Sequence, residues 1–197
     1  ARLEAVFFAA TGEGERALRI ARPLVERFES PWAAGLKVVF ERAYWAGVGK
    51  VAWLAGDVAA LREEAARQVD PRRPQEWRFI DLVRVTLPGQ LAILERRWPE
   101  AERHLAAAVA LHRELRFPQG HPDPRVCAAY VQAAMGRPDQ ACVHLEPVLQ
   151  ECLAESCVGP LVCEPPAMVR AVLACLPEAR RREPVLAALL ARVDAWQ

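Results

Sequence analysis

The chain has 197 residues, a mass of 21.9 kDa and a formal net charge of +1, the size of one large domain or two small ones. With 53% hydrophobic and 26% charged residues it can bury a sizeable core, which excludes intrinsic disorder and a polybasic nucleic-acid arm. No apolar stretch reaches the roughly 18 residues of a membrane span without a charge or proline, and the absence of Asn removes any N-x-[ST] glycosylation acceptor.

The residue alphabet is helical. There are 36 Ala and 22 Leu against three Ile, two Tyr, two Thr and two Ser. Ala and Leu lose little freedom in a helix, whereas strands favour Val, Ile, Thr and aromatics, and hairpins favour Asn-Gly or Asp-Gly turns that do not occur here. An all-α fold follows. The chain opens on Ala1 with no Met and no leader, so a fragment or processed product of a longer protein is expected. The 24 Arg against two Lys (Lys37 and Lys50) are scattered among 25 acidic residues and read as codon bias of a GC-rich genome rather than as a phosphate site.

In chain order, helix pairs recur with a step of forty residues. The first pair spans 1–30, with a turn at Gly12, 44 residues rather than forty before the next turn, and second-helix packing positions Ala17, Ala21 and Leu24. The next spans 31–73 and turns at Gly56, with Leu61, Ala65 and Gln68 in those positions. In 74–117 the turn falls at Arg96 and the positions are Ala101, Leu105 and Ala108. In 122–158 the turn is Gly136, and Ala141, Leu145 and Val148 follow. Seven residues before the last three turns stand Gly49, Gly89 and Ala129, small enough for a close approach of helices.

Residues 159–197 form capping helices, with a turn at Leu176, packing positions Val185 and Ala188, and a terminal helix over Glu183–Trp196. Pro165, Pro166 and Pro177 distort this last pair. Asp70–Pro74 and Phe117–Pro124 read as loops between repeats, so one continuous domain over 1–197 is expected.

This grammar resembles the tetratricopeptide repeat (TPR), whose pattern is W-x2-L-G-x2-Y, a turn glycine and then a second-helix alanine. The clearest copy is Trp45-Ala46-Gly47-Val48-Gly49 followed by Gly56. Ala52 stands where the tyrosine belongs, Leu61 where the alanine does, and Pro88 replaces the leucine of the next copy. The step exceeds the usual repeat of about 34 residues, which implies longer helices. By this resemblance the fold is a right-handed superhelix of antiparallel helix pairs, an α-solenoid of about four to five repeats of ~40 residues.

Phrases such as Gly136-Arg137-Pro138-Asp139-Gln140-Ala141 and Arg96-Arg97-Trp98-Pro99-Glu100-Ala101 resemble the sensor region of large bacterial transcription activators of the MalT and LuxR type. That resemblance implies an NTPase before the repeats, a DNA-binding module after them, a cytoplasmic setting and contacts with neighbouring regulator domains. It also leaves room for a homo-oligomer. This stretch has no G-x-x-x-x-G-K-[ST] loop and no basic recognition helix, so no direct contact with nucleic acid and no membrane association is expected of it. A TPR adaptor or scaffold with no regulator attached is the competing reading.

Catalysis has a thin supply of residues. Ser30 precedes Pro31 and Ser156 follows a helix, so both read as caps or turn residues, and Thr86 lies in an apolar stretch. Cys152, Cys157 and Cys163 are spaced C-x4-C-x5-C with His144 upstream, but structural zinc sites pair their knuckles and the second pair is missing. All six cysteines lie at or beyond Cys127. They read as small reduced thiols packed in place of Ala, since disulfide frameworks staple short secreted domains without a core. No enzyme activity, cofactor or metal is expected. His104 and His144 share one repeat position and read as partly exposed helix surface, and Arg180-Arg181-Arg182 as a solvated turn.

One residue beyond the small position, the step of forty gives Lys50, Gln90, Tyr130 and Arg170. By resemblance to the TPR family, this column faces the concave groove together with Trp53 and Leu54, Ile93 and Leu94, and Ala133 and Ala134. The implied site is Lys50, Trp53, Gln90, Tyr130 and Arg170, an aromatic-lined and mildly cationic groove for an anionic small-molecule effector or an acidic peptide or protein segment. The competing reading makes Lys50 and Arg170 solvated charges on the inner wall, and Trp45 and Trp53 core.

Overall fold

The computed structural model describes residues 16, 19, 20, 49–68, 78–115 and 123–195, and every regular element among them is an α-helix. The turn at Gly12, the positions Ala17, Ala21 and Leu24, the segment Trp45–Val48 and the loop at 70–74 lie outside the described residues. Two compact units divide the chain, Ala1–Glu95 and Arg96–Gln197, and the division falls at the expected turn of the third helix pair.

In the first unit a helical stretch over residues 49–55 leads through Gly56 into α1 (Val58–Gln68), and α2 (Arg78–Leu94) packs on α1. Gly56 has φ +65 and a Cβ there would meet nothing within 4 Å, so only backbone conformation asks for glycine. Its N–H donates to the Trp53 carbonyl at 3.1 Å and the Asp57 N–H to the Ala52 carbonyl at 3.0 Å, the paired bonds of a Schellman ending. Asp57 then opens α1: its Oδ1 accepts the Ala60 N–H at 2.9 Å.

The core of this unit is Val51, Ala52 and Trp53 with Leu61, Leu82, Leu87 and Ala92. Gly49 shows why a small residue stands there. A Cβ would lie 2.9 Å from Leu87 Cδ2, and Leu87 is itself fully buried. Pro88 inside α2 removes one helical donor, while buried Thr86 donates its hydroxyl to the Leu82 carbonyl at 2.7 Å.

The second unit holds α3 (Trp98–Leu115), α4 (Pro124–Ala134), α5 (Pro138–Ala154), the single-turn α6 (Gly159–Val162), α7 (Pro166–Ala174), the single-turn α8 (Glu178–Arg181) and α9 (Pro184–Asp194). α3 packs on α4, α4 on α5, α7 on both α4 and α5, and α9 on α5. α4 turns into α5 at Gly136 (φ +74), whose N–H reaches the Ala133 carbonyl while Arg137 N–H reaches Gln132. The same ending closes α5, with Ser156 at φ +51 and the Cys157 N–H donating to the Cys152 carbonyl at 3.0 Å. Arg96 is also left-handed, at φ +57. The three turn residues read from the forty-residue step, Gly56, Arg96 and Gly136, thus share one backbone conformation.

The packing columns behave alike. Ala101, Leu105, Ala108, Ala141, Leu145 and Val148 are fully buried, and Leu61 and Ala65 are buried in the first unit. The last pair corrects the expected register. Val185 is 68% exposed and Ala188 is exposed, whereas Leu186, Leu189 and Val193 are buried. This stripe lies forty-one residues after Leu145, Val148 and Cys152: α8 occupies the connection after Pro177, and the terminal helix enters one residue late, at Pro184. Among the described residues, no helix is long and apolar enough to cross a membrane.

Candidate functional site

The expected groove column is not uniform. Trp53 is 1% exposed and Gln90 2%, and Ile93 is buried with them. All three belong to the core of the first unit rather than to a water-facing wall. Burying an indole stabilises strongly, and a repeat register places a residue along a helix without settling which face it turns to a neighbour. Lys50, Leu54 and Leu94 are half-buried in that unit.

The second unit keeps the column at the surface. Tyr130 on α4 is half-buried, Ala133 half-buried and Ala134 exposed, while Arg170 is exposed on α7, which packs on α4. Trp98, the first residue of α3, meets Tyr130 edge to face, with ring centroids 6.1 Å apart and planes at 75°. A half-buried aromatic pair and a guanidinium are therefore carried on helices of one packed unit.

The start of α4 carries a charge cluster that the column did not include. The expected loop ran to Pro124, but α4 already starts there, and Asp123 caps it: its Oδ1 accepts the Arg125 N–H at 2.9 Å, with Pro124 in the first turn. Arg125 is only 6% exposed. Its Nε donates to Asp123 Oδ1 at 3.0 Å and its Nη2 to Asp123 Oδ2 at 2.7 Å. Toward α5 it makes a two-pronged contact, Nη1 to Glu151 Oε1 at 2.6 Å and Nη2 to Glu151 Oε2 at 2.5 Å.

Burial works against the charge on Arg125, but the hydrogen bonds from its guanidinium to Glu151 and Asp123 outweigh it and hold the group protonated. His112 of α3 feels the same cluster: burial lowers its pKa, Asp123 pulls it upward and Arg125 lowers it further. With two carboxylates on one guanidinium, the cluster ties α4 to α5 and leaves little positive charge for a ligand. Asp-Pro at a helix start was the sequence signal for the cap; nothing local linked residue 125 to residue 151.

The other candidates fall out as follows. His104 Nε2 lies 3.7 Å from Glu100 Oε1. Half-buried His144 has its pKa lowered by burial and then by Arg113, and its Nδ1 has no hydrogen-bond partner. None of the six cysteines is in a disulfide; Cys127 and Cys152 are buried, and burial pushes Cys152 up to about 12. Among the described residues, no group of three or more His, Cys, Asp or Glu side chains is placed to hold a metal ion. Ser156 is an exposed turn residue. Arg180 is committed to Glu146 and Glu183 and Arg182 to Glu178, so the arginine run is partly spent on ion pairs.

No protein-family model, no curated protein and no solved structure matches the chain.

Proposed function

We propose that this chain is a non-catalytic, TPR-like binding domain that serves as a ligand- or protein-sensing region of a bacterial transcription regulator of the MalT and LuxR type. The observation that carries the repeat reading is the left-handed turn residue recurring at Gly56, Arg96 and Gly136, each followed by a helix whose small and apolar positions are buried. In this reading the pairs stack into a superhelix, and occupancy of its inner face changes how it packs against neighbouring domains or subunits. Cysteines without disulfides suit the reducing cytoplasm.

The ligand face is Tyr130 with Trp98, together with Arg170 on the α7 helix that packs on α4, and it takes an anionic small molecule or an acidic peptide. Lys50 is the cationic member of the column in the first unit. A thermal-shift screen of acidic peptides and anionic metabolites, followed by titration, tests this. Tyr130→Ala and Arg170→Ala should each weaken binding about tenfold while helicity is unchanged, the cost of losing about 1.4 kcal/mol of contact. Unaltered affinity in both variants refutes the site. Reading the gene beyond Gln197 tests the regulator: a helix-turn-helix module supports it, and an immediate stop leaves the adaptor reading.

A further inference from the structure

Two of the six thiols are brought together from separate helices. Cys142 lies in the second turn of α5, and its Sγ donates to the carbonyl oxygen of Cys175 at 3.3 Å. Cys175 is the C-cap of α7, where the chain leaves the helix, so its backbone is helical on one side only. Its own Sγ donates to the Ala171 carbonyl at 3.5 Å, so pairing with Cys142 requires this side chain to leave that carbonyl by rotation about χ1.

A second contact holds the segment in place. One turn along α5, Glu146 accepts from Arg180 Nη2 at 2.6 Å and from Arg180 Nε at 3.4 Å, which keeps the chain beyond Cys175 against the same helix face. Cys142 and Cys175 are both half-buried and within reach of a small oxidant, whereas Cys127 and Cys152 are buried. Cys157 instead accepts the Gly159 N–H at its sulfur.

We propose that Cys142 and Cys175 form a redox clasp that locks α7 onto α5. A hydroperoxide oxidises one thiol to the sulfenic acid, its O–O bond breaking with release of water or an alcohol. The second thiol attacks the sulfenic sulfur, the S–S bond forms, and the sulfenic oxygen departs as water with the remaining proton. Two thiols thereby lose two electrons and two protons to the peroxide, and a dithiol reductant reopens the bond by exchange. Burial pushes both thiols up, and Cys175, Asp139 and Glu146 add to the effect on Cys142, so closure quickens as pH rises.

The bond would span a sequence separation of 33 residues. For a loop of that length, chain entropy favours the closed form of the C-terminal helices by about a hundredfold or more over the reduced chain.

The test is peroxide treatment of the full chain, alkylation of remaining thiols and mass mapping. Cleavage after Arg170 and Arg180 isolates Cys175 in its own peptide. Wild type is expected to lose two hydrogen atoms and yield a cross-link from that peptide to the one holding Cys142. The cross-link should vanish in Cys142→Ser and Cys175→Ser and persist in Cys152→Ser and Cys157→Ser. A Cys175 cross-link that survives Cys142→Ser, or no intramolecular cross-link in wild type, overturns the pairing. Amide exchange in α7 should slow about a hundredfold on oxidation, and equal rates before and after overturn the locking role. Cys142→Ala, with unfolding followed by circular dichroism, separates loss of the clasp from loss of the fold.

Discussion

In both units a left-handed turn residue is followed by a helix with buried packing positions, but the units secure neighbouring helices differently. In the first, the stretch over 49–55 meets α2 through a missing side chain, with Gly49 against Leu87, and the ion pair Arg62–Glu95 at 2.5 Å lies at the surface with Arg62 62% exposed. In the second, α4 is tied to α5 by the buried guanidinium of Arg125 between Asp123 and Glu151, and its helix-start position Ala101 is as buried as Leu61. Steric fit tolerates a shift of helix register only at the cost of overlap, whereas a buried charge tolerates none, because each lost hydrogen bond leaves desolvated charge behind.

The largest expected effect breaks the electrostatic side of that contrast. Arg125→Ala should cost about 3–5 kcal/mol, since Asp123 remains buried without its counter-charge. Amide exchange should report the loss in α3, α4 and α5 while α1 and α2 keep their protection. Protection lost equally in both units would mean that the division is not a division of stability.

Next in size, Leu61→Ala and Leu145→Ala probe equivalent columns, and each should cost about 2–5 kcal/mol in chemical denaturation because both side chains are fully buried. A loss in one and none in the other would break the equivalence. Gly49→Ala sharpens the steric side: its Cβ overlaps Leu87, and about 1–3 kcal/mol is expected.

Smaller effects test the turns. Gly136→Ala should cost about 1–2 kcal/mol, and Arg96→Gly should stabilise by up to about 1 kcal/mol, because both positions are left-handed and only glycine accepts that freely. The smallest is pH dependence. The folded pKa of His112 and of His144 lies below the ordinary 6.5, so the unfolded chain binds protons more readily and the denaturation midpoint should fall as pH drops through 6.5. Cys152 acts at the other end, where its raised folded pKa opposes folding as pH climbs from 9 toward about 12. A midpoint flat from pH 7 to 5 would contradict the histidine shifts.

Much of the fold was legible because turns and packing columns are local or periodic. Gly56, Arg96 and Gly136 were readable from one step, and so were Leu105 and Leu145. The site was less so. A column of Lys50, Gln90, Tyr130 and Arg170 looks uniform in sequence, yet Gln90 is in the core with Trp53 while Tyr130 and Arg170 reach the surface. Exposure depends on which neighbour covers a face, and that neighbour is tens of residues away. The same holds for Val185 and Ala188, moved out of the core by a one-residue delay.

Composition, dominated by Ala and Leu without Asn, was enough to determine that the described residues are helical, and the step of forty was enough to place the turns at Gly56, Arg96 and Gly136, because helix propensity and left-handed turns are properties of a few adjacent residues. Only the tertiary structure decided that Arg125 joins Glu151, that Cys142 meets Cys175 and that Trp53 and Gln90 of the column are buried while Tyr130 and Arg170 reach the surface. Those are encounters between separate helices, set by how the helices pack and by no local preference of the chain.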